Sequence, residues 1–160
     1  MKRFILLIAG VSLFLSACHN GERELNEFYK DFTGSLEEEQ GLSDLNDQYN
    51  ELEGEKAALQ EELNNAELED INTISAELQE NTTERLSLLE EERTLIENSN
   101  EAFEDAGQSA EDISNEEYKK EASSLSESMN ARYEAHSTMT DTYTEALNAE
   151  QALFEYLAED

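Results

Sequence analysis

"ERLSLLEEERTLIENSNEAFEDA", residues 84–106, contains neither glycine nor proline. It is rich in Glu and Leu, residues that cost a helix little rotamer entropy. Arg85, Leu88 with Leu89, Leu95 with Ile96, and Phe103 recur along it, at the period of about 3.5 residues that marks one seam of a heptad. The seam extends upstream through Leu78, Ile74 and Ile71.

A second run precedes it. Leu45, Tyr49, Leu52, Lys56, Leu59, Leu63 and Ala66 step by four and three. The phase then slips at "NNAELEDINTIS", residues 64–75, which is either a stutter inside one helix or a loop between two. With no glycine there, the expectation is a continuous helix from about 36 to 106. At 1.5 Å per residue it would be on the order of 100 Å long, and helices must lie alongside it to cover its seam. Further back, "GERELNEFYKDFTG", residues 21–34, places Leu25, Phe28, Tyr29 and Phe32 on one face of a short helix ended by Gly34. Ser35 with Glu38, and Ser43, are candidate starts for the next helix.

The clearest break is "DAGQSAEDISNEEY", residues 105–118. Gly107 stops a helix, and Ser109 with Asp112 and Ser114 with Glu117 are capping-box patterns. The last segment carries the most regular heptad, from Tyr118 through Ala122, Leu125, Met129, Arg132, His136, Met139, Tyr143, Ala146, Glu150 and Leu153 to Leu157. Arg132, His136 and Glu150 occupy core-type positions in it, where polar residues set register and partner choice at some cost in stability.

The 160 residues include no proline, six glycines and one cysteine, so regular helix rather than a disulfide framework must hold the chain. The expected fold is all-α, an elongated antiparallel helical hairpin or coiled-coil bundle after an N-terminal signal peptide. Its parts are a signal at 1–17, a tether and short amphipathic helix at 18–34, and a helical coiled-coil domain at 35–160 with a turn near 107–114.

Lys2 and Arg3 followed by "FILLIAGVSLFL" and the small Ser16 and Ala17 form a secretory signal. Its apolar run of about 12 residues is short of the roughly 20 that span a bilayer. Leu15, Ser16, Ala17 and Cys18 resemble the bacterial lipobox residue for residue. The resemblance implies cleavage between Ala17 and Cys18 and diacylglycerol on the Cys18 sulfur; a free or buried cysteine is the plain alternative. One acyl chain binds a membrane only marginally, whereas two or more anchor it stably.

Without the signal, 40 acidic residues face 8 basic ones. That balance excludes reading a nucleic-acid backbone, which needs clustered Lys and Arg; here only Lys119 and Lys120 adjoin. It also disfavours lying flat on anionic lipid. Cations or cationic groups of the envelope suit such a surface, although charge also simply maintains solubility.

Chemistry is sparse. His19 and His136 form no pair, and no cysteine cluster or HExxH motif supplies a zinc site. Ser137 adjoins His136 but points to another face of a helix. The runs Glu37–Glu39 and Glu90–Glu92 fan outward from a helix, whereas calcium needs six to eight converging oxygens. Tyr118, Tyr133, Tyr143 and Tyr156 with Phe154 are either core residues or an aromatic surface for sugars. "Asn81-Thr82-Thr83" fits a glycosylation sequon, an accidental one in a bacterial lipoprotein. No catalytic residue, metal ligand or cofactor is expected.

Arg85, Leu89, Glu92, Ile96, Ser99 and Phe103, with the later helix bearing Tyr118, Tyr133 and Tyr143, resemble the YkyA family of cell-wall-binding lipoproteins of Gram-positive bacteria. The family pattern continues with a further helix after "ALFEYL", residues 152–157, which this sequence lacks. The resemblance implies a lipid-anchored protein on the outer face of the cell membrane. Its partners would be the membrane through Cys18, peptidoglycan or another wall polymer, or another helical protein, and not nucleic acid. The expected role is non-catalytic wall binding or spacing. The alternatives are a wall hydrolase or its activator using carboxylates, and a partner-dependent coiled-coil adaptor.

Overall fold

The structure, a computed structural model, describes residues 21–159. It is all-α, with no strand among the described residues: α1 (21–37), α2 (Leu42–Asn65), α3 (Ile71–Asp112) and α4 (Glu116–Glu159). The chain divides into two compact units, one of residues up to Glu39 with Asn98–Tyr133, the other of Gln40–Glu97 with Glu134–Asp160. Each unit thus takes one segment from α3 and one from α4, beside α1 in the first and α2 in the second.

The expected continuous helix from 36 to 106 is not what forms; the chain turns at 38–41 and again at 66–70. In the second unit Leu45 and Leu52 of α2 are buried with Leu88 of α3, and Leu42, Tyr49 and Leu95 pack against them. A straight helix would leave both seams in water. Burying a leucine is worth about 1.5–3 kcal/mol, so three outweigh the few helical hydrogen bonds lost at the reversal, each worth about 1 kcal/mol.

Part of that loss is recovered locally. Ala66, extended at φ −70° and ψ 146°, donates its N–H to the Leu63 carbonyl. The Asp70 N–H reaches the Glu67 carbonyl at 3.0 Å, and the Asn65 side-chain amide reaches the Glu61 carbonyl at 2.7 Å. These are end groups that a helix cannot satisfy internally.

Other ends also differ from the sequence reading. Helix α1 runs through Gly34 to residue 37, and Ser35 is buried, donating back to the Phe32 carbonyl rather than capping a new helix. Gly41 precedes α2 instead, at φ 114°, a conformation that a Cβ resists. Gly107 lies inside α3, and the reversal falls at 113–115. The cap of α4 is Asn115, not Ser114: its Oδ1 accepts the N–H groups of Glu117 at 3.0 Å and Tyr118 at 3.2 Å, the second and third amides of the helix, as an N-cap requires.

Half of the expected α4 seam is also displaced: Ala122, Met129, His136, Tyr143, Glu150 and Leu157 are buried or half-buried as expected, but the alternate row is not. Tyr133, Thr140, Leu147 and Phe154 are buried, whereas Arg132, Met139, Ala146 and Leu153, one position earlier, are exposed. The two rows are similarly apolar, and only packing against the other helices decides between them. Within the first unit that packing is aromatic, with ring centroids 6.0 Å apart for Phe28–Phe32, 6.1 Å for Phe32–Phe103 and 5.8 Å for Phe103–Tyr133.

Replacing Asn115 by Ala removes the α4 cap and should cost about 1 kcal/mol. Ser114→Ala should cost less, because it keeps the backbone N–H given to Glu24 at 2.6 Å and loses only a side-chain bond to the same carboxylate at the surface. Urea unfolding of the two variants checks the contrast.

Candidate functional site

At the seam position of α3 that the sequence marks with Arg85, the side chain is fully enclosed, with 0% exposure. A buried guanidinium is tolerated only if paired and hydrogen-bonded, and three helical segments supply the partners. Glu53 of α2 accepts from Nη1 at 2.8 Å, and Glu150 of α4 accepts from Nη2. Within α3, Asn81 Oδ1 accepts from Nε at 3.0 Å and Thr82 Oγ1 from Nη2 at 3.3 Å.

A second ring of bonds fixes those partners. Lys56 donates to the other oxygen of Glu150, and the Tyr143 hydroxyl donates to Glu53 at 2.8 Å. The Asn81 amide reaches the Leu52 carbonyl at 2.8 Å, and the Tyr49 hydroxyl reaches the Arg85 carbonyl at 3.2 Å. Asn81, which reads as a sequon in the sequence, is thus a buried structural residue.

Burial works against the charges, and the bonds overcome it. Desolvation raises the Glu53 carboxyl, but the hydrogen bonds from Tyr143 and Arg85 hold it below the ordinary value. Desolvation likewise opposes ionisation of Glu150, and Lys56 and Arg85 outweigh it. Arg85 itself loses hydration, yet Glu150 and Glu53 hold its proton more firmly than usual. Tyr49 is pushed up first by desolvation and then by the charge of Glu92.

The first unit has its own polar cluster. Arg132 grips Glu39 with two bonds of 2.6 Å and lies 5.6 Å from the centre of the Tyr133 ring. Ser99, fully buried, donates to Glu39 at 2.8 Å and lies 2.9 Å from the Tyr133 hydroxyl. Bonding to Glu39 raises the Arg132 pKa despite some desolvation.

Other sequence candidates are dispersed. His136 meets Glu92 at 2.9 Å, and Ser137 is exposed. Tyr133 and Phe154 are buried, Tyr118 and Tyr143 half-buried, and Tyr156 is 64% exposed, so the tyrosines form no common platform. Among the described residues, no three His, Cys, Asp or Glu side chains converge as metal ligands, and no helix is long and apolar enough to cross a membrane. Ala17 and Cys18 lie outside the described residues.

The second unit carries several surface depressions between α2 and α3. An open cleft of about 760 Å³ at the α2–α3 connection is lined by Glu61, Glu62, Asp70 and Glu77 with Ala58 and Ile74. A groove of about 480 Å³ beside Gly41 has Leu45 and Leu95 in its floor and Asp44, Glu90 and Glu91 around it.

A family model described as "Putative cell-wall binding lipoprotein", the YkyA family, matches residues 23–160. The chain belongs to that family. No curated protein and no solved structure matches it. The YkyA positions quoted from the sequence are structural: Arg85, Leu89 and Ile96 are buried in one unit and Ser99 and Phe103 in the other, while Glu92 is spent on His136. A complementary pattern was present in the sequence, since Lys56, Arg85 and Glu150 all sit at seam positions. Glu53 lies on no seam and carried no signal.

Arg85→Ala should destabilise the chain by about 3 kcal/mol, since it empties a fully buried site, takes one partner from each of two carboxylates and leaves the buried Asn81 amide oxygen without its donor. Because Glu53 and Glu150 titrate below their ordinary value of 4.5, their contribution is complete above that pH and is withdrawn as the pH falls below it. Unfolding followed from pH 7 to pH 3 should show a smaller acid loss in Arg85→Ala than in the parent chain.

Proposed function

We propose that the protein is a lipoprotein anchored through Cys18 on the outer face of a Gram-positive cell membrane, binding a wall polymer without catalysis. The observation that carries the reading is the match of the wall-binding lipoprotein family to residues 23–160. Leu15, Ser16, Ala17 and Cys18 supply the lipobox just before that span. Signal cleavage between Ala17 and Cys18 and diacylglyceration of the thiol leave two or more acyl chains at the new N-terminus, enough for stable retention.

The surface chemistry supports a polymer bearing cationic groups. The formal charge is −30 over the whole chain, and the carboxylates of Glu61, Glu62, Asp70 and Glu77 surround the cleft at the α2–α3 connection. Such a surface draws cations in and raises encounter rates with positively charged chains.

Cys18→Ala should release the chain into the medium and abolish labelling by a fatty-acid analogue; retention with normal labelling contradicts the anchor. In the same experiment series, the lipidated protein incubated with purified wall should sediment with it and liberate no fragments. Cleavage lost on single acid substitutions would instead establish the hydrolase.

A further inference from the structure

Only His19 and Asn20 separate Cys18 from α1, and three residue steps span at most about 11 Å. The headgroup layer of one leaflet is itself about 5–8 Å deep, so an acylated Cys18 leaves the start of α1 no room to drift from the bilayer. A Cβ on Gly21 would stand 3.2 Å from the Asn115 Cβ, and Glu24 accepts the Ser114 N–H. The start of α1 therefore carries the α3–α4 turn to the same level. From there α1 and α3 run antiparallel, through Asp31 with Ser109 to Glu39 with Ser99. Helix α4 runs parallel to α1 and meets Glu39 with Arg132. The first unit thus has an anchored end at Gly21 and Asn115 and a far end at Glu39 and Arg132, about 25 Å away at 1.5 Å per residue of α4.

The cations sort along that axis. Lys56, Arg85, Arg93 and Arg132 each pair with a carboxylate. Arg23, Lys30, Lys119 and Lys120 pair with none among the described residues, in a chain with 40 Asp and Glu. All four belong to the first unit, and Arg23, Lys119 and Lys120 lie within about two turns of its anchored end. Cations at that height reach lipid phosphates, each contact contributing about 1 kcal/mol near an anionic surface. Acids stand there too, Glu22, Glu116 and Glu117 among them, and acyl chains at about 0.8 kcal/mol per buried methylene outweigh their repulsion. Along the sides of the unit Glu101, Glu104 and Glu127 are exposed, so an anionic leaflet repels the unit laid flat.

We infer that the anchored end of the first unit is a membrane seat. The start of α1 and the turn at 113–115 rest on the lipid headgroups, Arg23, Lys119 and Lys120 meet their phosphates, and Glu39 and Arg132 point away from the bilayer. The inference rests on acylation of Cys18 and adds which face of the protein that acylation presents to lipid.

Glu116 and Asn130 are both exposed on one side of α4, about 21 Å apart along it. The full chain carrying Glu116→Cys or Asn130→Cys is purified from membranes in detergent and labelled with bimane, to which the acylated Cys18 sulfur is inert. It is then reconstituted into vesicles of phosphatidylcholine and phosphatidylglycerol bearing a nitroxide on the headgroup. Quenching at Glu116→Cys should be at least threefold stronger than at Asn130→Cys. Arg23→Gln with Lys120→Gln should at least halve that ratio, and Arg23→Lys with Lys120→Arg should keep it, which separates lost charge from lost fold. Equal quenching at the two labels, or stronger quenching at Asn130→Cys, in a chain that floats with the vesicles overturns the seat and leaves the anchor standing. A ratio indifferent to the Gln substitutions overturns the phosphate contacts. A chain that does not float overturns the anchor and the seat together.

Discussion

A guanidinium with no exposure to water needs carboxylates delivered to it from outside its own helix, and Arg85 imposes that constraint on the second unit. Glu53 comes from α2 and Glu150 from α4, so the two ion pairs form only when both segments lie beside α3 in one register. The reversal at 66–70, the burial of Leu45 and Leu52 against Leu88, and the choice of the Tyr143–Leu147–Glu150 side of α4 all agree with that register. Removing water from Arg85, and much of it from Glu150, is costly, and the gain lies in specification as much as in stability. A shifted helix would leave Arg85 unpaired in the interior.

The same solution recurs in the first unit with different atoms. Glu39 collects Arg132 and Ser99, Ser99 meets Tyr133, and the aromatic rings of Phe28, Phe32, Phe103 and Tyr133 fill the space around them. A chain that is 38% hydrophobic distributes few apolar residues over long helices, so the interior includes Thr82, Thr140, Ser75 and Asn81 besides leucine. Long helices with similar seams can slide past one another, and polar layers of unlike composition make each slide expensive.

Helix content was legible because it rests on composition and period: no proline, few glycines, and apolar residues at three and four. Helix ends were not. Ala66 adopts an extended backbone without any turn-forming residue at its position, because tertiary burial, rather than local preference, sets that break. One of the two rows of the α4 seam was misplaced by one residue, because Met139, Ala146 and Leu153 are nearly as apolar as Thr140, Leu147 and Phe154; the other row, from Ala122 and Met129 to Glu150 and Leu157, does turn inward. Polar seam residues were visible at Lys56, Arg85 and Glu150, yet pairing them required knowing that α2 folds back. Membership in the YkyA family was legible from the α3 row, whose residues turn out to line the interior.

The most direct test of a fold governed by Arg85 is a double-mutant cycle with Glu150, using Arg85→Met and Glu150→Gln in the full chain and reading urea unfolding. Side chains joined in one buried network couple by about 0.5–3 kcal/mol. The expected coupling lies in the upper half of that range, since Arg85 is fully buried and Glu150 only 29% exposed at its side chain. Additive single effects, with coupling below a few tenths of a kcal/mol, would contradict a central role for the pair.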